Sequence, residues 1–570
     1  MLSVSGKNWD EYLINKRIID KLKIDFNFSE LISKLIIQRK FTLNEIHSIR
    51  GNLKINNPFL KSSDFLDSIK ILKKNIDNKS KILVIGDYDV DGCASTSLMV
   101  SFLKNNKANI RYYIPNRFKD GYGANLTLVK SLLNKDKVDL VIMLDCGSNS
   151  HEIIKYLNEK KISSIIIDHH NIYKPYPKSN GLINPKKICD YNKYNYLCTT
   201  FLVYFFLDVF IKKYKLRYNI EEKKIYVLLA TVADVMPLRH LNRLLAKEVL
   251  EKFNPENNNF LKNFFNLYKL RRKISIYDYA FILSPVLNSA GRLGDANKVV
   301  EFLSTNNENL RKKILNELFF FNNKRKKLES MAMSEIDIES KLHKNNEIIL
   351  LYKKNYSEGI IGILASRIKE ILNKPCIVFT LIDDHYKGSG RSTSNFNIGQ
   401  YIQKGIQKKI ITKGGGHNLA AGLNVKRKDI LKFKNFINQE YQINMNLKRN
   451  RSFYISKISS NAVNKDFYHE INKLSPFGNE NSNPIFLIEN VKIVKPSILQ
   501  NKYVSCYILS NKSKLIKAVS FNSLKSNISK NLLYNKRNVD ILTKIVENNW
   551  NNKKSLQLEI IDVILKTNNA

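Results

Sequence analysis

The sequence contains no CxxC pair and no cysteine–histidine spacing of the zinc kind. Its six cysteines, at positions 93, 146, 189, 198, 376 and 506, are scattered singly, so they read as reduced, mostly buried thiols. Long apolar runs are missing too. The most apolar stretch, 196–210, carries Thr199, Thr200 and Asp208 and is too short to span a bilayer. The N-terminal MLSVSGKNWDEYL has acids where a signal sequence has its apolar segment. The expectation is a cytoplasmic protein with no membrane partner. Acids are the third shortage: 51 Asp and Glu face 94 Lys and Arg, and the net charge of +43 favours a polyanionic partner such as nucleic acid. Lys, Asn and Ile are over-used along the whole chain, so part of this charge reflects composition and solvated surface. A chain of 570 residues is long enough for several cores, roughly three or four domains.

Scarce acids are informative where they gather. In KILVIGDYDVDGCASTS, Lys81 to Ser97, the apolar run Ile82 to Ile85 has the length and branching of a buried strand. It stops at Gly86 before Asp87, Asp89 and Asp91, and from Cys93 small and apolar residues recur at helical spacing. Three carboxylates crowded into a strand-to-helix turn repel one another unless cations neutralise them, and hard ions such as Mg2+ or Mn2+ prefer oxygen ligands. The attraction of a helix N-terminus explains one or two such acids, hardly three with a glycine on each side.

The pattern repeats downstream. Strand candidates Ile82–Ile85, Ile110–Ile114, Leu140–Leu144 and Ile162–Ile167 alternate with helical segments, which implies a parallel sheet covered by helices. Leu144 is followed by Asp145, and Ile167 by Asp168, His169 and His170. Ligands of open α/β sheets bind beyond the carboxyl ends of the strands, so separate runs deliver metal-binding side chains to one edge. Asp234, in LLATVADVMPL, sits on or just after a helix. A neutral His binds a metal while its neighbour positions or protonates a phosphate oxygen.

Elsewhere, residues 1–50 read as a helical segment with a capping box from Thr42 to Glu45. A polar helical stretch near 305–343 reads as a solvated connecting helix. Gly388 to Ser392, and Gly414 to Gly416 before His417, read as loops with little bulk through which backbone amides and an Arg reach phosphate. From about 450 onward five short strands, 484–488, 503–509, 515–521, 539–546 and 556–565, suit an OB-fold, with Phe477, Tyr503, Tyr507, Phe521 and Trp550 as candidate base-stacking residues.

The set GDYDVDG, LDCGSNS, DHH and ADVMPL resembles, in order, the four motifs of the DHH phosphoesterase superfamily. LNSAGRLGDA at 287–296, GIIGILASR at 359–367, KGSGRS at 387–392 and GGGHNLAAG at 414–422 are similar to the RecJ exonucleases within it. The resemblance implies an α/β protein: a parallel-sheet DHH domain (51–300), a long connecting helix (301–344), a smaller α/β DHHA1 domain (345–448) and a C-terminal all-β OB-fold (449–570). It implies two divalent metal ions, Mn2+ or Mg2+, one held by Asp89 and Asp145 and the other by Asp91, Asp145, His169 and Asp234. Asp87 and Asp168 would orient ligands or bind metal, and His170 would face the phosphate. Arg117, Arg292, Ser389 and Arg391, with Gly416 and His417, would gather the 5′-terminal phosphate. Where the family often has Trp-His before GIIGILASR, this chain has Tyr356 and Ser357.

The implied activity is 5′→3′ hydrolysis of single-stranded DNA to mononucleotides, in recombination and repair, by a monomer working beside a helicase and a single-strand-binding protein. Two other readings compete: a DHH phosphodiesterase for short oligonucleotides or cyclic dinucleotides, and a non-catalytic replication scaffold. Residues 450–570 argue for a long polymer, and the intact acids and histidines argue for catalysis.

Overall fold

A computed structural model of the chain describes residues 1–51, 54–120, 123–187, 191–336, 347–354, 356–447, 451–509, 515–550 and 553–566. Cys189, the end of the expected connecting helix and the side chain of Trp550 lie outside the described residues. The other five cysteines are free thiols, and all but the half-buried Cys146 are buried. No described helix is long and apolar enough to cross a membrane. The chain divides into two compact units, residues 42–325 with 476–482, and residues 1–41 with 326–475 and 483–570.

In the first unit, consecutive apolar residues make strands buried on both faces. Five parallel strands lie in the spatial order Ile110–Tyr113, Ile82–Ile85, Leu140–Leu144, Ser163–Ile167, Gly181–Ile183. The strand period of two sends Ile82, Val84, Ile142 and Ile165 into one core with the helices Val90–Asn105 and Thr199–Tyr214. Leu83, Ile85, Val141 and Met143 enter a second core with the helices Leu126–Lys135 and His151–Glu159. The helices that follow Ile82–Ile85 and Leu140–Leu144 therefore leave toward opposite faces, and a crevice opens beyond the ends of these adjacent strands. Gly181–Ile183 escapes sequence patterning because it has only three residues. The helix Ser284–Leu293 packs on the turn after Ile82–Ile85 through Gly291, where an added Cβ would lie 2.3 Å from the Tyr88 carbonyl oxygen.

The second unit holds a two-stranded sheet, Asn8–Glu11 with Arg451–Tyr454, and two larger ones. One has the order Lys413–His417, Ala420–Lys426, His385–Arg391, Cys376–Ile382, Ile349–Lys353, antiparallel except for its last pair. The other closes on itself: Phe486–Leu499, Tyr503–Leu509, Leu515–Ser520, Lys553–Leu565 and Val539–Trp550 pair in turn, and Phe486–Leu499 pairs back to Val539–Trp550. This is the closed five-stranded barrel expected of an OB-fold.

Several local expectations are corrected. Gly388–Arg391 and Gly414–Gly416 lie in strands, not loops, and only Ser392 of the KGSGRS segment falls just past its strand. Their glycines make room for neighbours: a Cβ at Gly388 would meet Phe379 at 2.5 Å, and one at Gly390 would meet Ile398 at 2.4 Å. The first barrel strand runs on to Leu499, past Pro496, because its register breaks between Val494 and Ser497 and so accommodates the proline. The long helix starts at Glu308, after a separate helix Asn297–Ser304, because Asn307 accepts the Asn309 and Leu310 amides and caps a fresh start. Its polar residues are not all solvated, since Arg325 is buried and donates to Asn322 at 2.7 Å. Thr42 and Glu45 do form a capping box, but segment 1–50 is not helical throughout. Asn8–Glu11 is a strand pairing with Arg451–Tyr454, and Ser3, Ser5 and Trp9 donate to the buried Asp562 at 2.8, 2.5 and 3.0 Å.

The glycine contact at Tyr88 gives a direct test of packing. Gly291→Ala should destabilise the protein by on the order of 1–3 kcal/mol through overpacking. Gly415→Ala, whose Cβ meets nothing within 4 Å, should change stability by about 0.5 kcal/mol at most. Urea midpoints of the two variants check this, and equal midpoints would contradict the close approach.

Candidate metal centre

The first carboxylates are brought together by glycine. A Cβ at Gly86 would lie 2.2 Å from Thr96 Oγ1, and one at Gly92 would lie 2.4 Å from the Asp87 carbonyl oxygen. Without these side chains the helix Val90–Asn105 presses onto the turn, and Asp87, Asp89 and Asp91 converge. Asp89 is the helix N-cap, its Oδ1 accepting the Gly92 amide at 3.0 Å. Asp91, buried one residue into the helix, has both oxygens occupied. Oδ2 accepts the Thr199 amide at 2.7 Å, and Oδ1 accepts the Thr200 amide at 2.8 Å and its hydroxyl at 2.6 Å. Asp91 thereby caps the helix Thr199–Tyr214, whose own N-cap residue, Cys198, makes no side-chain cap.

Asp145 and Asp168 leave adjacent strand ends. Asp145 is buried at φ +60°, a left-handed conformation costly for a side-chain-bearing residue, and its Oδ1 accepts the Thr199 hydroxyl at 2.9 Å. Asp168 Oδ1 accepts the His169 and His170 amides at 2.8 and 3.1 Å and faces His170 Nδ1 at 2.8 Å, while Oδ2 accepts the Ser148 amide at 3.1 Å. So many donors make Asp168 an organiser of the histidine pair, and among the described residues it joins no metal-sized cluster. Asn184 supports it by donating to Ser148 Oγ and the His170 carbonyl at 2.7 and 2.9 Å.

Asp234 ends the helix Lys224–Ala233, and Val235 after it is held at φ +55°, rare for a β-branched residue. A distant segment secures that turn: Asn479 donates to the Val235 carbonyl at 2.7 Å and accepts the Leu238 amide at 2.8 Å.

Three groups of side chains offer ligand atoms within 4.8 Å of one another: Asp87, Asp89 and Asp145; Asp91, His169 and Asp234; and Asp145, His169 and His170. His169 Nε2 lies 3.4 Å from Asp145, 3.4 Å from Asp234 and 3.8 Å from Asp91. Asp145 therefore stands between the first pair of acids and the histidines.

The electrostatics of this cluster are unfavourable without cations. Burial, then Asp89, pushes Asp87 up to about 7. Burial and the charges of Asp91 and Asp89 push Asp145 and Asp234 well above the usual carboxylate range. Burial and His170 hold His169 down at about 4, so it is neutral and its nitrogen is a ligand at neutral pH. Burial opposes charge on His170, but Asp168 prevails and raises it to about 9. Among the described residues the buried His169 Nδ1 finds no hydrogen-bond partner. Carboxylates with one neutral imidazole are a donor set that suits Mn2+ or Mg2+.

The phosphate candidates fall into two sets, one in each unit. Arg117 lies over the Tyr88 ring at 5.3 Å, and both Arg117 and Arg292 act electrostatically on Tyr88. Asn297 fastens their segments, accepting the Ile114 amide at 2.9 Å, and Asn116 donates to Gly294 at 3.4 Å. In the other unit Arg391 Nη1 donates to Ser389 Oγ at 3.2 Å on one strand face. Ala420 pairs with Arg391 on one side and His417 on the other, and Gly416 pairs with Ala421. Tyr356 is buried and accepts the Thr380 hydroxyl through its carbonyl, and Ser357 precedes the helix Glu358–Leu372. Sequence reasoning missed Thr199, Thr200, Ser148, Asn184 and Asn479. The one signal for any of them was the pair of threonines that interrupts an otherwise apolar helix.

Comparison with known proteins follows these lines. Residues 81–236 match the DHH family, N-terminal domain, residues 345–442 the DHHA1 domain, and residues 456–562 the RecJ OB domain. The chain is 30% identical over 410 residues to the single-stranded-DNA-specific exonuclease RecJ of Escherichia coli, covering 68% of this chain and 70% of that one. It is 27% identical over 581 residues to the enzyme of that name from Bacillus subtilis, covering 98% and 71%. The fold is shared with a crystal structure of RecJ in complex with Mn2+ from Thermus thermophilus, at a TM-score of 0.80 and 21% identity over 98% of this chain and 80% of that one.

Two measurements test the centre. Thr200→Val, which removes the hydroxyl on Asp91, should weaken Mn2+ binding by roughly 10–100-fold in a calorimetric titration, and unchanged affinity would sink the positioning role. In metal-free protein, Asp87 holds its proton to a higher pH than the unfolded chain does. Its contribution therefore erodes stability as pH rises from about 4 to about 7. Asp87→Asn should flatten that part of the Tm-versus-pH curve in EDTA.

Proposed function

The chain belongs to the RecJ family, and on that footing we propose that it is a metal-dependent exonuclease that degrades single-stranded DNA from the 5′ end to mononucleotides. The observation that carries this reading is the cluster of Asp87, Asp89, Asp91, Asp145, His169 and Asp234 at strand and helix ends, where burial and like charge disfavour ionised carboxylates unless cations neutralise them. Two divalent ions bound there supply activation of water and charge for the attacking and leaving oxygens of an in-line displacement.

The chain's own groups do the rest. His170, raised to about 9 by Asp168, is an imidazolium at neutral pH and donates a charge-assisted hydrogen bond to a phosphate oxygen. Arg292 stabilises the equatorial oxygens with it. Arg117, Arg292, Ser389, Arg391, Gly416 and His417 hold the 5′-terminal phosphate, which makes the cut exonucleolytic and sets its direction. The barrel is a further platform for the single strand. In this reading the enzyme is a cytoplasmic monomer serving recombination and repair beside a helicase and a single-strand-binding protein.

The test is Mn2+-dependent digestion of 5′-labelled and 3′-labelled oligonucleotides, single-stranded and blunt duplex. Immediate release of the 5′ label as mononucleotide, progressive shortening of the 3′-labelled strand and a resistant duplex are expected. Asp145→Ala should abolish turnover while DNA binding persists. Cleavage of very short oligonucleotides alone would favour a small-substrate phosphodiesterase, and substantial activity in Asp145→Ala would overturn the site.

A further inference from the structure

One surface of the first unit is outside the site described above. The helical run Ile276–Asp278, Tyr279–Leu283 and Ser284–Leu293 passes through a π-type turn, a feature frequent at functional positions. On it Tyr277 and Phe281 are 61% and 66% exposed, with ring centroids 4.7 Å apart at an interplanar angle of 35°. Contact between residues four apart on a helix surface is weakly stabilising, too little to account for two large rings left mostly in water.

The chain just before the pair is Lys269, Leu270, Arg271, Arg272, Lys273. Arg272 fastens this loop to the aromatic helix, donating to the buried Asp278 at 2.7 Å. The fastening sets the exposed Arg271 and Lys273 beside the helix that carries the rings. From residue 257 to residue 284 Asp278 is the only acid, so no exposed carboxylate of this stretch offsets the cations.

We propose that Tyr277 and Phe281, with Arg271 and Lys273, form an additional contact for single-stranded nucleic acid, bases stacking on the rings and phosphates meeting the cations. Single strands expose base faces that a duplex hides, and aromatic side chains next to a basic track suit them. Phe281 precedes Arg292 by eleven residues of one helical run, about 16 Å at the helical rise. The contact thus engages a strand some nucleotides away from its terminal phosphate. This placement rests on the proposed role of Arg292, whereas the binding itself does not.

The experiment is fluorescence anisotropy of the full chain in EDTA with an oligothymidylate and with a blunt duplex, at several salt concentrations. Tyr277→Ala with Phe281→Ala should weaken single-strand binding roughly fivefold or more and affect the duplex less. Arg271→Gln with Lys273→Gln should lower the salt slope of log K by about 0.7 for each phosphate that is no longer neutralised. Tyr277→Phe should bind as the parent does. Unchanged single-strand affinity in the alanine variant, or equal weakening on both DNAs, would overturn the proposal. If the alanine variant melts early, the salt slope of the glutamine variant decides. A parent protein that binds as described yet cuts nothing with Mn2+ would refute the nuclease reading and leave this contact standing.

Discussion

Repulsion among buried carboxylates is the constraint on which the first unit depends. Five aspartates and a histidine occupy the crevice beyond two adjacent parallel strands, and Asp87, Asp145 and Asp234 are pushed toward protonation by burial and by the neighbouring charges of Asp89 and Asp91. A protein gains nothing in stability from such an arrangement by itself. It persists because the surrounding fold over-determines it, and because cations convert mutual repulsion into shared attraction.

Over-determination is visible in the partners. Asp91 is bound by the start of a helix that begins more than a hundred residues later, and the same helix reaches Asp145 through Thr199. Asp168 spends its oxygens on the two histidines that follow it and on Ser148. Asp234 precedes a strained valine clamped by Asn479. Asp91 and Asp145 are thus oriented by amides and hydroxyls from another element, which leaves these two carboxylates little freedom to turn away from the cluster.

The ligand-bearing turns were legible in the sequence because each follows an uninterrupted apolar run, and such runs in a parallel sheet mean burial on both faces. Asp87, Asp89, Asp91, Asp145, Asp168 and His169 could be read from that signal, and the barrel strands could be read from their spacing. The supports were not legible. Thr199 and Thr200 act across the fold on Asp91, and Asn479 acts from a segment far along the chain, so no local pattern announces either. Glycine was misread for a related reason: KGSGRS resembles a loop until Phe379 and Ile398 are placed against Gly388 and Gly390. Small residues signal a close approach, but sequence does not say whether a ligand or a neighbouring side chain makes it.

Asp562 gives the first residues of the chain a peculiar history. Ser3, Ser5 and Trp9 find their acceptor more than 550 residues further along the chain, and Asn8–Glu11 its partner strand about 440 residues further along. At roughly 5–20 residues per second that interval is on the order of half a minute to two minutes. During it an incipient strand centred on Trp9 waits unpaired while residues 42–325 emerge and collapse. Lys7, Asp10 and Glu11 beside that tryptophan act as gatekeepers, making the waiting segment a poor template for another chain.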